Sequence, residues 1–261
     1  MLDQEFSSDI AVVTGGAAGL GREISLALAL SGAKVLALDV DLVGLEETKA
    51  IAAESGGEVI ILQCDVADSE KVKEAFKYVE KEFGLCTIMV AAAGIALYTE
   101  YLAMGEKEMD RAIAVNLKGP LLCAQESLRH MEKAGRGNII FISSVQAVMS
   151  LFGCVVYAAT KAGLIAAART LSLETGKMGV RVNTISPGTI DTPMLARDLA
   201  SMNREEASKF LEKVKAANVL GRIGKPSEIA DAVKYLSSSK ASYVTGIDLR
   251  VDAGFTALKV I

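Results

Sequence analysis

Tyr157 and Lys161 stand four residues apart at the start of an apolar stretch of helix length, so their side chains project from one face. A tyrosine with its ordinary pKa near 10 is a poor base at neutral pH. Moving it about 3 units toward neutrality takes roughly 4 kcal/mol of preferential stabilisation of the phenolate. One ammonium about 4 Å away supplies about that much at an effective dielectric near 20. The pair is therefore sufficient for proton transfer at an oxygen, with Lys161 expected to pull the Tyr157 pKa down.

A second constellation lies near the start of the chain. An apolar run ends in Thr14-Gly15-Gly16-Ala17-Ala18-Gly19-Leu20-Gly21, and a helical pattern begins at Gly19. Glycines there allow a tight turn, close backbone approach to a pyrophosphate and close packing of helix on sheet. The helix N-terminus offers unpaired N–H groups to phosphates. Asp39 follows about 20 residues after the turn, at the end of the second apolar run, where a carboxylate can accept hydrogen bonds from ribose hydroxyls. It would repel a 2′-phosphate, Asp41 adds negative charge, and no Arg or Lys lies inside the turn or directly after Asp39. The expected cofactor is NAD rather than NADP. The charge of an oxidised nicotinamide would add to that of Lys161 in favouring the phenolate.

These residues need a scaffold, and the rest of the chain reads as one. Strands are expected at Ile10–Thr14, Lys34–Asp39, Val59–Cys64, Thr87–Ala91, Asn138–Ser143, Arg181–Ser186 and Asp248–Val251. Helices are expected between them at Gly19–Ser31, Leu42–Ser55, Ser69–Phe83, Glu106–Lys133, Val155–Lys177 and Ser227–Ser237. Such alternation gives an α/β fold, a doubly wound parallel sheet of about seven strands with helices on both faces. The strands are nearly all apolar, as burial on both faces requires. Residues 1–261 read as a single domain with no linker or repeat. One stretch breaks the pattern: 189–224, between the sixth strand and the last crossover helix, with helical material at Asn203–Ala217. Its place at the carboxyl end of a strand suits a substrate lid; an ordinary surface helical hairpin is the alternative.

Charge and composition narrow the partners. The formal charge is −4 and the charges are interspersed, which excludes a clustered basic footprint for nucleic acid or an anionic membrane. The apolar runs fall well short of the roughly 20 residues that span a bilayer. Met1 to Asp9 carries Asp3, Glu5 and Asp9 and no basic residue, the wrong charge for a signal or transit peptide. Cys64, Cys86, Cys123 and Cys154 have no C-x-x-C spacing and read as buried thiols of a reducing, cytoplasmic compartment. No metal site is expected. The one histidine, His130, lies beside Arg129 and Glu132 and reads as a helix-surface residue.

Taken in order, the Gly-rich turn, Asp39, Asp65-Val66, Ala93-Gly94, Val115-Asn116, Ser143-Ser144, Tyr157-x-x-x-Lys161, Asn183, Pro187-Gly188-Thr189-Ile190-Asp191-Thr192 and Thr245-Gly246 resemble the short-chain dehydrogenase/reductase family across almost the whole chain. The resemblance implies hydride transfer between a nicotinamide and an alcohol or carbonyl carbon, without a metal. By it Tyr157 is the general acid/base and Lys161 its partner on the nicotinamide ribose. Ser144 orients and polarises the substrate oxygen, and Asn116 holds a water in a proton relay. Asp65 and Val66 flank the adenine; Ala93 and Gly94 pass close to the adenosine ribose. Pro187, Gly188, Ile190 and Thr192 meet the nicotinamide end. A homotetramer formed through the two longest helices is the usual assembly.

Two departures stand out. Ala91-Ala92-Ala93-Gly94 replaces the usual Asn-Asn-Ala-Gly, removing side-chain amides from a structural network. Val251-Asp252-Ala253-Gly254 replaces the usual Asp-Gly-Gly ending in a region that often packs between subunits. For the substrate, Gln146, Cys154 and Leu195 are the candidate contacts. Gln146 would meet a sugar or polyol hydroxyl, unless it is a solvent-facing loop residue. A 3-oxoacyl-acyl-carrier-protein reductase shares this skeleton and could use Lys107, Arg111, Arg129 and Lys133 to hold an acidic carrier. A catalytically silent NAD sensor is the alternative of another class.

Overall fold

The computed structural model describes residues 4–257, so the ends of the expected 1–261 domain, Asp3 included, lie outside the described residues. The strands β1 (Ile10–Thr14), β2 (Lys34–Asp39), β3 (Val59–Gln63), β4 (Ile88–Ala91), β5 (Gly137–Ile142), β6 (Val180–Pro187) and β7 (Asp248–Val251) form one sheet. Its order is β3-β2-β1-β4-β5-β6-β7, with every pairing parallel. Each strand matches its expected position to within one residue at either end.

Side chains alternate across the strands, and both faces are covered. On one face, Val13, Val35, Ile88 and Ile140 pack under α1 (Gly19–Leu30), α2 (Leu42–Glu54) and α9, the helix Pro226–Ser237. On the other, Val12, Leu36, Met89 and Phe141 pack under α3 (Ser69–Glu82), α5 (Gly119–Ala134) and α6 (Val155–Thr175). Fully burying a side chain of this kind is worth roughly 1.5–3 kcal/mol. Asp41 caps α2 through the N–H of Gly44 at 3.1 Å, and Asp68 caps α3 through Glu70 and Lys71. The chain crosses from β3 back to β4 beside β1. The connections after β1 and β4 therefore diverge and open a crevice at the carboxyl ends of the strands.

Three expectations need correction. The helix expected over Glu106–Lys133 is α4 (Glu106–Ile113), a π-helical turn (Ala114–Lys118) and then α5, so its ladder is interrupted around Asn116. His130 is not on the surface: it is 4% exposed, because α5 turns Cys123, Ser127, His130 and Met131 inward while Arg129 and Glu132 point out. Its Nδ1 accepts a 3.2 Å hydrogen bond from the Cys86 N–H, and burial holds its pKa below the ordinary imidazole value. The insertion at 189–224 contains two helices, α7 (Pro193–Ala200) and α8 (Arg204–Ala217), where one was expected. Its base is closed: Gly224 N donates to Thr189 O and Asp191 N to Gly224 O, each at 2.9 Å.

Candidate active site

The crevice encloses about 500 Å3 and is lined by all the expected site residues except Asn116 and Cys154. At its cofactor end, β1 runs into a turn in which Gly15 has φ 75° and Gly19 φ 54°. A Cβ on Gly21 would collide with the carbonyl oxygen of Gly15, so the turn closes only on glycine. Ala18, the N-cap of α1, offers no side-chain cap, and the first turn carries no acidic residue. Its N–H groups are thus left for a ligand.

The carboxylate of Asp39 accepts from Ala17 N and Asp41 N, each at 3.1 Å, which ties the end of β2 to the turn. Arg22, next to the turn, is held away from a phosphate. Its guanidinium donates to the Ala17 carbonyl, to Gly44 O at 3.1 Å, to Thr48 Oγ1 at 3.0 Å and to Glu47 at 2.8 Å. Asp65 pairs with Arg111 at 2.9 Å; burial pushes its pKa up, but the Ala67 N–H and Arg111 more than offset this and hold it low. The bare cradle, the uncapped helix end and the carboxylate together fit a dinucleotide.

At the chemical end, Ser143 and Ser144 follow directly on β5, and the first two turns of α6 deliver Tyr157 and Lys161. The two serines differ in use. Ser143 is buried and donates to the Lys161 carbonyl at 2.9 Å, whereas Ser144 lines the crevice and hydrogen-bonds Tyr157. Burial pushes the Tyr157 pKa up to about 12, with the Ser144 hydrogen bond acting in the other direction. Burial pushes Lys161 down to about 8. The lowering of Tyr157 expected from Lys161 is therefore absent from the protein alone. The Lys161 ammonium lies 5.6 Å from the Tyr157 ring centroid and donates to the Ile142 carbonyl at 2.9 Å.

Asn116 is fully buried behind this pair. Its Oδ1 accepts from Ile95 N at 2.8 Å and its Nδ2 donates to Ile95 O at 2.9 Å. The Asn116 side chain thus fixes the segment after β4. Gly94 fits between the two groups: a Cβ there would lie 3.3 Å from Asn116 Oδ1 and 3.4 Å from Lys161 Nζ. The alanines that replace the usual asparagines leave no loose backbone, because Thr14 Oγ1 accepts from Ala92 N at 3.1 Å and Ala93 N at 3.0 Å.

The candidate substrate contacts divide. Leu195, on α7, lines the crevice. Gln146 lines it too; its Oε1 accepts from Leu151 N at 2.8 Å, which orients the amide and leaves its –NH2 to donate. Cys154 is 1% exposed at the N-cap of α6 and does not reach the crevice, because the turn entering the helix buries its short side chain. The sequence reading missed Tyr98, Met194 and Phe210, which also line the crevice, as does Asp198 from the expected lid. These residues sit in the irregular segment after β4 and in the insertion, where no periodicity marks an inward face.

A family model described as enoyl-(acyl carrier protein) reductase matches residues 15–256. The chain is 35% identical over 256 residues to (3R)-3-hydroxyacyl-CoA dehydrogenase of Rattus norvegicus, covering 95% of this chain and 96% of that one. It is 35% identical over 260 residues to D-threitol dehydrogenase of Mycolicibacterium smegmatis, covering 98% and 96%. The crystal structure of levodione reductase superposes with a TM-score of 0.93 at 31% identity, over 97% of this chain and 100% of that one. With the ordered motifs, the parallel sheet and these matches together, the chain is an oxidoreductase and belongs to the short-chain dehydrogenase/reductase family.

Proposed function

We propose that this enzyme interconverts an alcohol (a sugar, polyol or secondary alcohol) and its carbonyl, using NAD. The observation that carries the reading is the convergence of Ser144, Tyr157 and Lys161 in one crevice with the Gly15–Gly21 turn and Asp39. When bound, the nicotinamide supplies the hydride acceptor or donor. The turn and the first N–H groups of α1 would hold the pyrophosphate, and Asp39 the adenosine ribose. The neutralised Arg22 supports NAD over NADP.

Ser144 donates a hydrogen bond to the substrate oxygen while Tyr157 moves the proton there. With its pKa at about 12 Tyr157 rests as a phenol, and with its pKa at about 8 Lys161 is mostly charged at neutral pH. The resting pair is therefore set to give a proton to a carbonyl oxygen, and the reverse reaction needs further positive charge beside the phenol. If Asn116 takes part in a relay, it does so through its main chain at the π-helical turn, since its side chain is occupied.

Three of the four basic residues that could receive an acidic carrier are in ion pairs: Arg111 with Asp65, Arg129 with Glu126 and Lys133 with Glu80. This supports a small alcohol over a carrier-bound acyl chain. Exposed Val155 and Leu173 on α6 and Leu121 on α5 support assembly as a homotetramer through these helices. Four free, buried thiols suit the cytoplasm. Among the described residues no helix is long and apolar enough to cross a membrane. The test is NAD reduction by the purified enzyme across sugars, polyols and secondary alcohols. Turnover of one class with NAD over NADP is expected; no turnover of any class would overturn the reading.

A further inference from the structure

The stretch after β4, which carries no periodic pattern, and the 189–224 insertion both contribute residues to the crevice. Tyr98, from the stretch after β4, stands beside the carboxylate of Asp198 on α7. Both residues line the crevice beside Ser144, Gln146 and Tyr157. Asp198 is half-buried in the wall of the crevice.

The helix that carries it is well anchored. Thr192 caps α7 at Leu195 N, Pro193 occupies its first turn, Leu195 is 9% exposed, and the Thr189/Gly224 hydrogen bond closes the segment's base. A carboxylate has about four acceptor sites, more than one neighbouring hydroxyl can fill. In the crevice that holds Ser144 and Tyr157, Asp198 therefore presents an acceptor and the Gln146 amide a donor. The crevice is also lined by the apolar Ile95, Leu151, Leu195 and Phe210 and by Arg197, which neighbours Asp198 in sequence.

We infer that Asp198 is a specificity-determining residue: it accepts a hydrogen bond from a second hydroxyl of the substrate, selecting neutral diols and polyols and disfavouring carboxylates and phosphates. This rests on the alcohol/carbonyl reading above and narrows its substrate class. A buried acceptor built for a substrate hydroxyl is left unpaired by an analogue that lacks the hydroxyl, and a fixed negative charge repels an anionic one.

The test compares wild type with Asp198→Asn on 2,3-butanediol, 2-butanol and 3-hydroxybutyrate, with NAD as oxidant. Wild type is expected to favour the diol, with 3-hydroxybutyrate the poorest of the three. In Asp198→Asn, kcat/KM for the diol should fall about tenfold to a hundredfold. That for 2-butanol should stay within about threefold, and that for 3-hydroxybutyrate should rise. A parallel change on all three, or no change on the diol, overturns the role of Asp198 while leaving the alcohol-oxidising reading intact. Failure of wild type on both alcohols instead overturns that underlying reading, and this one with it.

Discussion

Lys161 Nζ lies 5.6 Å from the centroid of the Tyr157 ring, yet its hydrogen bond goes to the carbonyl oxygen of Ile142. The protein thus buries a lysine at 5% exposure with a backbone acceptor and, among the described residues, no carboxylate partner. Desolvation disfavours the charged form, and the pKa falls from 10.5 to about 8.

That shift has a consequence for stability. Between about pH 8 and 10.5 the unfolded chain keeps a proton on Lys161 that the folded chain sheds, so the contribution of Lys161 rises with pH and is lost again as pH falls through 8. Tyr157, raised from 10 to about 12, acts in the opposite sense only above its unfolded value. Cys64 and Cys86, raised from 9.0 to about 11 and 12, also oppose it as pH climbs past 9. The readout is therefore a difference between proteins. From about pH 8 to 9.5, cofactor-free wild type should gain about 1.5 kcal/mol relative to Lys161→Met in urea unfolding. Parallel pH profiles for the two would contradict the burial argument.

Asp39 ties down the turn and, in the proposed cofactor site, would also meet the ribose. Asp39→Ala removes an acceptor from Ala17 N and the group that would meet the ribose hydroxyls. NADH affinity should fall about tenfold or more, since a charged hydrogen bond is worth about 1.5–3 kcal/mol, and NADPH affinity should fall less. Fluorescence titration of both cofactors checks this. An unchanged NADH/NADPH ratio would remove Asp39 from cofactor choice.

Ala253 is the non-glycine residue with positive φ among the described residues, at 54°, in the segment where the family ending usually has glycine. Its main chain is held there by Val219 N, which donates to Ala253 O at 2.8 Å. The left-handed conformation costs a residue with a Cβ about 1–2 kcal/mol, and glycine returns part of this as unfolded-state entropy. Ala253→Gly should stabilise by about 0.5–1 kcal/mol, a rise of about 2 °C in Tm. A lower Tm would mean that the methyl group packs against something more valuable than the strain it carries.

The sheet was legible because two-sided burial writes near-continuous apolar runs of strand length, and all seven strands stand where those runs are. The Gly-rich turn, Asp39, Ser144, Tyr157 and Lys161 were legible because tight backbone approach and paired donors demand particular residue types at fixed spacing. His130 was misread from its neighbours Arg129 and Glu132; on a helix those point elsewhere, and the inward face is set by Cys123, Ser127 and Met131. The approach of Tyr98 to Asp198 was illegible for a different reason. They meet only in three dimensions, from an irregular segment and a short helix whose caps hold it over the crevice.

The assignment of Tyr157 as the proton-transfer group is tested most directly by Tyr157→Phe, assayed for steady-state NAD reduction with NADH binding titrated in parallel. The substitution removes the hydroxyl and leaves the ring, Lys161 and the dinucleotide cradle in place. The expected result is a fall in kcat/KM of about a thousandfold, with the Kd for NADH within about threefold of wild type. Activity within about tenfold of wild type, at unchanged NADH affinity, would contradict the account.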